Sequence, residues 1–160
     1  MFVLGIDPGL SVTGYGLVEG TNPPTAHTAG VIRTDTDAEV SERLGELHQG
    51  LSEIITDLDP DVIALETVFT NRNLQTAISV GRASGVALLA AAQAGLRVFE
   101  YVPTAVKSAV TGDGSADKKQ VQAMVARLLR LEEPPQPADA SDALAIALCH
   151  LRGAALGAPR

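Results

Sequence analysis

Two periodicities alternate along the chain. Residues 2–6, Phe-Val-Leu-Gly-Ile, form an apolar run that closes on one acid, Asp7, and stops at Pro8-Gly9. A second run follows at 13–19. A third covers 26–34, after Asn22-Pro23-Pro24, whose prolines enforce a turn. Three extended runs with short links predict an antiparallel meander. The period then changes. Val40, Leu44, Leu47, Leu51, Ile54 or Ile55, and Leu58 recur at four-and-three spacing, which predicts a long amphipathic helix ending before Pro60. Its other face carries Glu39, Glu42, Glu46, Glu53 and Asp57, a solvated acidic face on which His48 is incidental.

Residues 61–66, Asp-Val-Ile-Ala-Leu-Glu, read as a buried strand that ends in an acid. After a crossover helix this strand is expected to lie parallel to a neighbour. Its C-terminal end is where open α/β sheets place ligands, so Glu66 falls at the favoured edge. A loop at 67–73 leads into a helix over 74–94 that is apolar nearly all round, and such a helix is expected to be buried on more than one side. Gly81 and Gly85 permit close approach of another element, either the sheet alone or a second subunit as well. Residues 96–101 predict a fifth strand, 103–110 a short helix, and 117–131 a helix burying Val121, Met124, Val125, Leu128 and Leu129. The proline-rich link 132–137 precedes a last helix over 138–151. Residues 153–160 are expected to fray, which leaves 1–152 as a single domain.

The alternation of strands and helices predicts an α/β fold, and 160 residues suffice for one sizeable core. Hydrophobic residues make up 46% of the chain and aromatics only 3%, so Ala, Val, Leu and Ile must build that core. The single Cys149 excludes an internal disulfide and, among Ala147, Leu148 and Leu151, reads as a small core residue in a reducing compartment. No apolar run is expected to span a membrane, and no basic region precedes the first one, so the expected location is the cytoplasm.

The net charge of −7 speaks against nucleic acid until its distribution is considered. Residues 1–66 carry a net −10, residues 67–130 a net +5 and residues 131–160 a net −2. A field segregated in this way permits a basic face on an acidic protein, although chance imbalance on solvated helices gives the same counts.

Four acids stand at strand ends or helix starts: Asp7, Glu66, Asp139 and Asp142. Each has a plain structural alternative. Asp7 caps the Asp-Pro-Gly turn, Glu66 starts a loop, and Asp139 and Asp142 complement a helix dipole. Asp139 and Asp142 are three apart and share one face of the first helical turn. If the four converge, they repel one another and need cations. Hard oxygen ligands suit Mg²⁺ or Mn²⁺. Two such ions about 4 Å apart clamp the attacking and leaving oxygens of an in-line displacement at phosphorus. The chain has no Gly-rich phosphate loop ending in Gly-Lys-Ser or Gly-Lys-Thr, no His pair at zinc spacing and no nucleophile-elbow pattern.

Gly5-Ile6-Asp7-Pro8-Gly9, Thr13-Gly14-Tyr15-Gly16, Leu65-Glu66, Val68-Phe69, Gly81-Arg82-Ala83-Ser84-Gly85-Val86, Gly112-Asp113-Gly114-Ser115-Ala116-Asp117-Lys118 and Ala138-Asp139-Ala140-Ser141-Asp142-Ala143 together resemble RuvC, the bacterial crossover-junction endodeoxyribonucleases or Holliday junction resolvases. The resemblance runs from residue 3 to about residue 150. It implies a ribonuclease H-like fold with a five-stranded mixed sheet flanked by helices on both faces. It implies a homodimer that nicks two opposed strands of a four-way DNA junction in recombination and repair, alongside RuvA and RuvB.

By motif position, Asp7, Glu66, Asp139 and Asp142 match the family's metal-binding catalytic acids, for two Mg²⁺ ions with Mn²⁺ as a substitute. Some members carry His at the position of Asp139. Phe69 matches an aromatic that stacks on bases at the opened junction, against the alternative of a core Phe capping its strand. Lys107 and Lys118 match family lysines near the scissile strand, and Arg72 and Lys119 extend the expected DNA-binding set. Asp113 and Asp117 bring negative charge into a loop expected to approach phosphate. Two rival readings are a junction-binding scaffold without catalysis and one lobe of an actin-like ATPase, suggested by Asp7-Pro8-Gly9. The chain is too short to supply both lobes of the latter.

Overall fold

The computed structural model describes residues 1–67 and 73–155. Phe69 and Arg72, both singled out above, lie outside the described residues. Among the described residues, five strands and five helices follow in the order β1 (Phe2–Asp7), β2 (Val12–Glu19), β3 (Thr25–Arg33), α1 (Val40–Leu58), β4 (Val62–Glu66), α2 (Leu74–Gln93), β5 (Arg97–Tyr101), α3 (Pro103–Thr111), α4 (Lys118–Leu128) and α5 (Ala138–Ala155). The sheet order is β3-β2-β1-β4-β5. The first three strands form the expected antiparallel meander, and β4 and β5 continue from β1 in parallel. This is the mixed five-stranded sheet expected from the sequence.

Strand alternation divides the core in two. Leu4, Ile6, Ile63 and Leu65 face Leu47, Leu51 and Ile55 of α1 and the alanines Ala83, Ala87, Ala90 and Ala91 of α2. Val3 and Ala64 face the other way, onto Leu144, Ala147 and Leu148 of α5, with α3 and α4 behind. Val3, Gly5 and Asp7 therefore share a face, as do Val62, Ala64 and Glu66. Both acids end up on the α5 side.

Local chemistry sets the helix ends. α1 stops where Asp59 turns left-handed (φ 44°) before Pro60. The Asn73 side chain accepts from the backbone N–H groups of Gln75 and Thr76 at the start of α2. Asp117 and Gln120 form a reciprocal capping box on α4. α4 ends at Leu128, short of the predicted 131, because Arg130 takes a positive φ of 55°. α5 continues past the predicted 151 to Ala155. Arg152 reaches across to the Ala109 carbonyl of α3, which ties this last stretch down.

Within the single chain, α2 packs through one face: the small alanines face inward, whereas Leu74 (74% exposed), Ile78, Leu88 and Leu89 (51%) face outward. Apolar composition all round does not reveal which residues meet the core. α2 also has the length and composition to cross a bilayer, contrary to the expectation that no segment has them. Its buried alanine stripe marks it as a helix of the domain core. His48 does more than expected, since its Nε2 lies 2.7 Å from the Gln93 side chain and bridges α1 to α2. Cys149 is buried as expected, its thiol facing the Ala105 carbonyl and pushed up to about 11 by burial.

Candidate active site

Asp7 and Glu66 end two neighbouring parallel strands. The register pairs Ile6 with Leu65, so the next residues, Asp7 and Glu66, stand side by side at one sheet edge. α5 brings the other two acids. Its seat is a patch of glycines on the Asp7 face. Gly5 pairs with Gly16 and Asp7 with Gly14 across β1 and β2. A Cβ on Gly5 would run into the Ala143 carbonyl and come within 2.9 Å of the Ala147 nitrogen. A Cβ on Gly14 would run into the Asp139 carbonyl, and one on Gly16 would lie 2.7 Å from Leu144 Cδ2. With no side chains in the way, α5 lies directly on the sheet and sets Asp139 and Asp142 beside the strand ends. The sequence reading missed this seat. Its signal was Gly at residues 5, 14 and 16, on one face of two paired strands.

The turn after Asp7 is braced from both sides. Thr13 donates to the Gly9 carbonyl at 2.6 Å, and Thr34 donates to the Leu10 carbonyl at 2.6 Å. Arg43 of α1 donates to Thr34 and Ser11. Behind Glu66, Thr67 donates to the Tyr101 carbonyl through both its backbone N–H and its hydroxyl. Tyr101 is held in turn by the buried His150, its hydroxyl 2.7 Å from Nδ1.

Asp7 feels each of the other three acids. Burial, then Glu66, Asp142 and Asp139, together push its carboxyl up from the ordinary 3.8 to about 7, against the opposing pull of Lys118. Burial and then Asp142 push Glu66 up from 4.5 to about 7, against the opposing pull of Lys118 and Lys107. Among the described residues, no hydrogen bond or ion pair reaches either carboxylate. The donor set fits a hard divalent cation, because it offers several carboxylate oxygens whose mutual repulsion a cation relieves. Among the described residues no three of these side chains already close into a cation cage. One of the four carboxylates, Asp142, is engaged elsewhere.

That engagement is with Lys118, whose Nζ lies 2.8 Å from Asp142 Oδ2 at the start of α4. The hydrogen bond to Asp142 raises the Lys118 pKa. Glu66, Asp142, Lys107 and Lys118 line a cleft of about 250 Å³ whose apolar wall is Pro103, Val106, Val121 and Ala145. Both predicted lysines thus face this cleft, Lys118 from α4 in an ion pair and Lys107 from α3 acting on Glu66 through its charge. Lys119 does not: it is exposed, and no ion pair joins it to these acids among the described residues. The charges of the 111–117 loop are used locally. Asp113 accepts from the Ser115 amide and hydroxyl, which lowers its pKa, and Asp117 caps α4.

A pH dependence follows from the two raised carboxylates. Their protonated forms are favoured in the folded state, so they cost no stability below their unfolded values near 4. The cost grows as pH rises and is complete above about 7. In thermal unfolding, the melting temperature gained on adding Mg²⁺ is expected to be larger at pH 8 than at pH 5.

The family model "Crossover junction endodeoxyribonuclease RuvC" matches residues 3–150. A curated relative of that name from Salinispora arenicola is 52% identical over 153 residues, covering 94% of this chain and 87% of the relative. The solved RuvC of Thermus thermophilus superposes with a TM-score of 0.90 at 38% identity, covering 98% of this chain and 97% of that one. The same protein in complex with a Holliday junction substrate gives a TM-score of 0.89 at 35% identity, with the same coverage. The fold is therefore ribonuclease H-like. The matching family model and these relatives make the chain a member of the RuvC family of crossover junction endodeoxyribonucleases.

Proposed function

We propose that the chain resolves four-way DNA junctions by paired nicks, through phosphodiester hydrolysis that depends on two Mg²⁺ ions at Asp7, Glu66, Asp139 and Asp142. The observation that carries this reading is the meeting of strand ends β1 and β4 with the first turn of α5, which gathers four carboxylates beside a lysine-lined cleft. Dependence on a divalent metal is general among RuvC nucleases. When bound, a pair of divalent cations stabilises charge on the attacking and leaving oxygens at phosphorus. Asp7, central in the group, would hold them together with Glu66, Asp139 and Asp142. Water adds to phosphorus, the P–O3′ bond breaks, and the 3′-oxygen leaves with a proton. Lys107 and Lys118 hold the phosphate and offset charge in the transition state. Phe69, three residues after Glu66, supplies a stacking face for a base, and Arg72 and Lys119 supply phosphate contacts.

Hydrolysis in this direction leaves 5′-phosphate and 3′-hydroxyl ends. DNA ligase is therefore expected to seal the nicked junction arms without prior treatment. Ends that resist ligase until dephosphorylated at the 3′ side would overturn the assigned direction of attack. The scaffold reading is not favoured, since a binding surface has no use for four converging acids that repel DNA phosphates.

The functional unit proposed is a homodimer of the 1–152 domain, acting in the cytoplasm with RuvA and RuvB. On α2, Leu74, Ile78, Gly81, Gly85 and Leu88 follow one another at four-and-three spacing, with Leu89 beside Leu88, opposite the buried alanine stripe. A Cβ on Gly81 or Gly85 would meet nothing within 4 Å, so this stripe is open to a second copy. A two-fold dimer offers two sites to a junction with its own near-symmetry. Leu89→Glu is expected to weaken dimerisation at least about tenfold by light scattering at micromolar concentration, a cost of ~1.4 kcal/mol. Its effect on thermal stability of the fold is expected to be small, because Leu89 is half exposed.

A further inference from the structure

The Lys118–Asp142 ion pair presents a conflict within the site. Asp142 is needed as a ligand, yet Lys118 Nζ holds its Oδ2 at 2.8 Å. The same ammonium is the one expected to meet the DNA phosphate. Both jobs fall to one flexible side chain. Lys118 is 60% exposed, so its four-carbon stem can swing without disturbing the core. Its backbone is fixed, because it is the first residue of α4 after the Asp117–Gln120 capping box. Lys107 differs. It lines the same cleft and its charge reaches Glu66, but no ion pair joins it to Asp142 among the described residues.

We infer that Lys118 is a positioning residue that couples substrate arrival to completion of the cation site. Without DNA, Lys118 neutralises Asp142 and holds it back from cation binding. When a phosphate enters the cleft, Lys118 Nζ exchanges the carboxylate for a phosphate oxygen, and Asp142 becomes free to ligate. Cation and junction binding then strengthen each other by the same factor, as linkage requires. The device keeps the complete set of four free carboxylates from forming until a phosphodiester is in place. It rests on the metal reading given above.

The test measures binding rather than cleavage. Mn²⁺ affinity of the DNA-free protein is read by the electron paramagnetic resonance of free Mn²⁺. Junction affinity is read by fluorescence anisotropy with and without Ca²⁺ at constant ionic strength, on junctions checked by denaturing gel to be intact. Lys118→Gln is expected to tighten Mn²⁺ binding to the free protein about tenfold, within the usual range of coupling factors. It is also expected to shrink the Ca²⁺-dependent gain in junction affinity by a similar factor. Lys107→Gln is expected to leave that gain near the wild-type value. Equal effects from the two lysine variants would show through-space charge alone and overturn the coupling, as would unchanged Mn²⁺ affinity in Lys118→Gln. If the wild-type protein and Asp7→Asn bind Mn²⁺ equally weakly, the metal reading itself fails, and the coupling with it.

Discussion

Asp7→Asn is expected to abolish junction cleavage while junction binding persists. Asp7 sits where four carboxylates meet, at the end of the central strand between Gly14 and Glu66. Asn keeps the size and one oxygen but loses the charge that balances a divalent ion. The rate is expected to fall by roughly 10³-fold or more, the scale on which single electrostatic stabilisers act in active sites. Binding persists because removing a negative charge near the cleft does not repel phosphate. A second consequence separates a damaged site from a damaged fold. Burial and its three acidic neighbours hold the Asp7 carboxyl at about 7, so its ionised form opposes folding at pH 8. Cation-free Asp7→Asn is therefore expected to melt at a higher temperature than the wild-type protein at pH 8, with the difference vanishing near pH 4. Lower stability together with lost activity would contradict the account.

Gly14→Ala carries the largest expected effect on the fold. The added methyl group would overlap the Asp139 carbonyl and crowd the Asp139 Cβ at 3.2 Å. The obstacle is the backbone of α5, which cannot rotate away as a side chain can. A cost of ~3 kcal/mol is expected, at the upper end of the overpacking range. For a chain of this size that lowers the melting temperature by roughly 10 °C. Any surviving fold must lift α5 and Asp139 off the sheet, so cleavage is expected to fall even below the melting transition. Gly45→Ala provides the contrast. Gly45 lies inside α1 with nothing within 4 Å of an added Cβ, and the substitution is expected to stabilise by ~0.5–1 kcal/mol. Calorimetry on the two variants checks both signs.

Much of the site was legible because it depends on local pattern. Alternation in residues 2–7 places Asp7 opposite Leu4 and Ile6. A crossover helix followed by 61–66 makes a parallel neighbour whose last residue is Glu66. A spacing of three puts Asp139 and Asp142 on one helical face. What stayed hidden depends on contacts between distant elements. Gly5, Gly14 and Gly16 look unremarkable one by one, and only the β1–β2 register turns them into a seat for α5. Asp113 and Asp117 read as a charge problem for DNA, yet the structure spends one on a turn with Ser115 and the other on a helix cap. α2 reads as apolar nearly all round, and only packing shows that the alanines face the sheet and the leucines face outward.

The most direct test of the central claim uses one end-labelled four-way junction and a linear duplex of the same sequence. Each is incubated with the purified protein in Mg²⁺, in EDTA, and with Asp7→Asn in Mg²⁺. The expected result is paired nicks at symmetric positions in two opposed strands of the junction, with wild-type protein and Mg²⁺ only. The linear duplex is expected to stay intact. Junction binding without nicks in any divalent metal, or nicks of equal rate from Asp7→Asn, would contradict the assignment of these four carboxylates to catalysis.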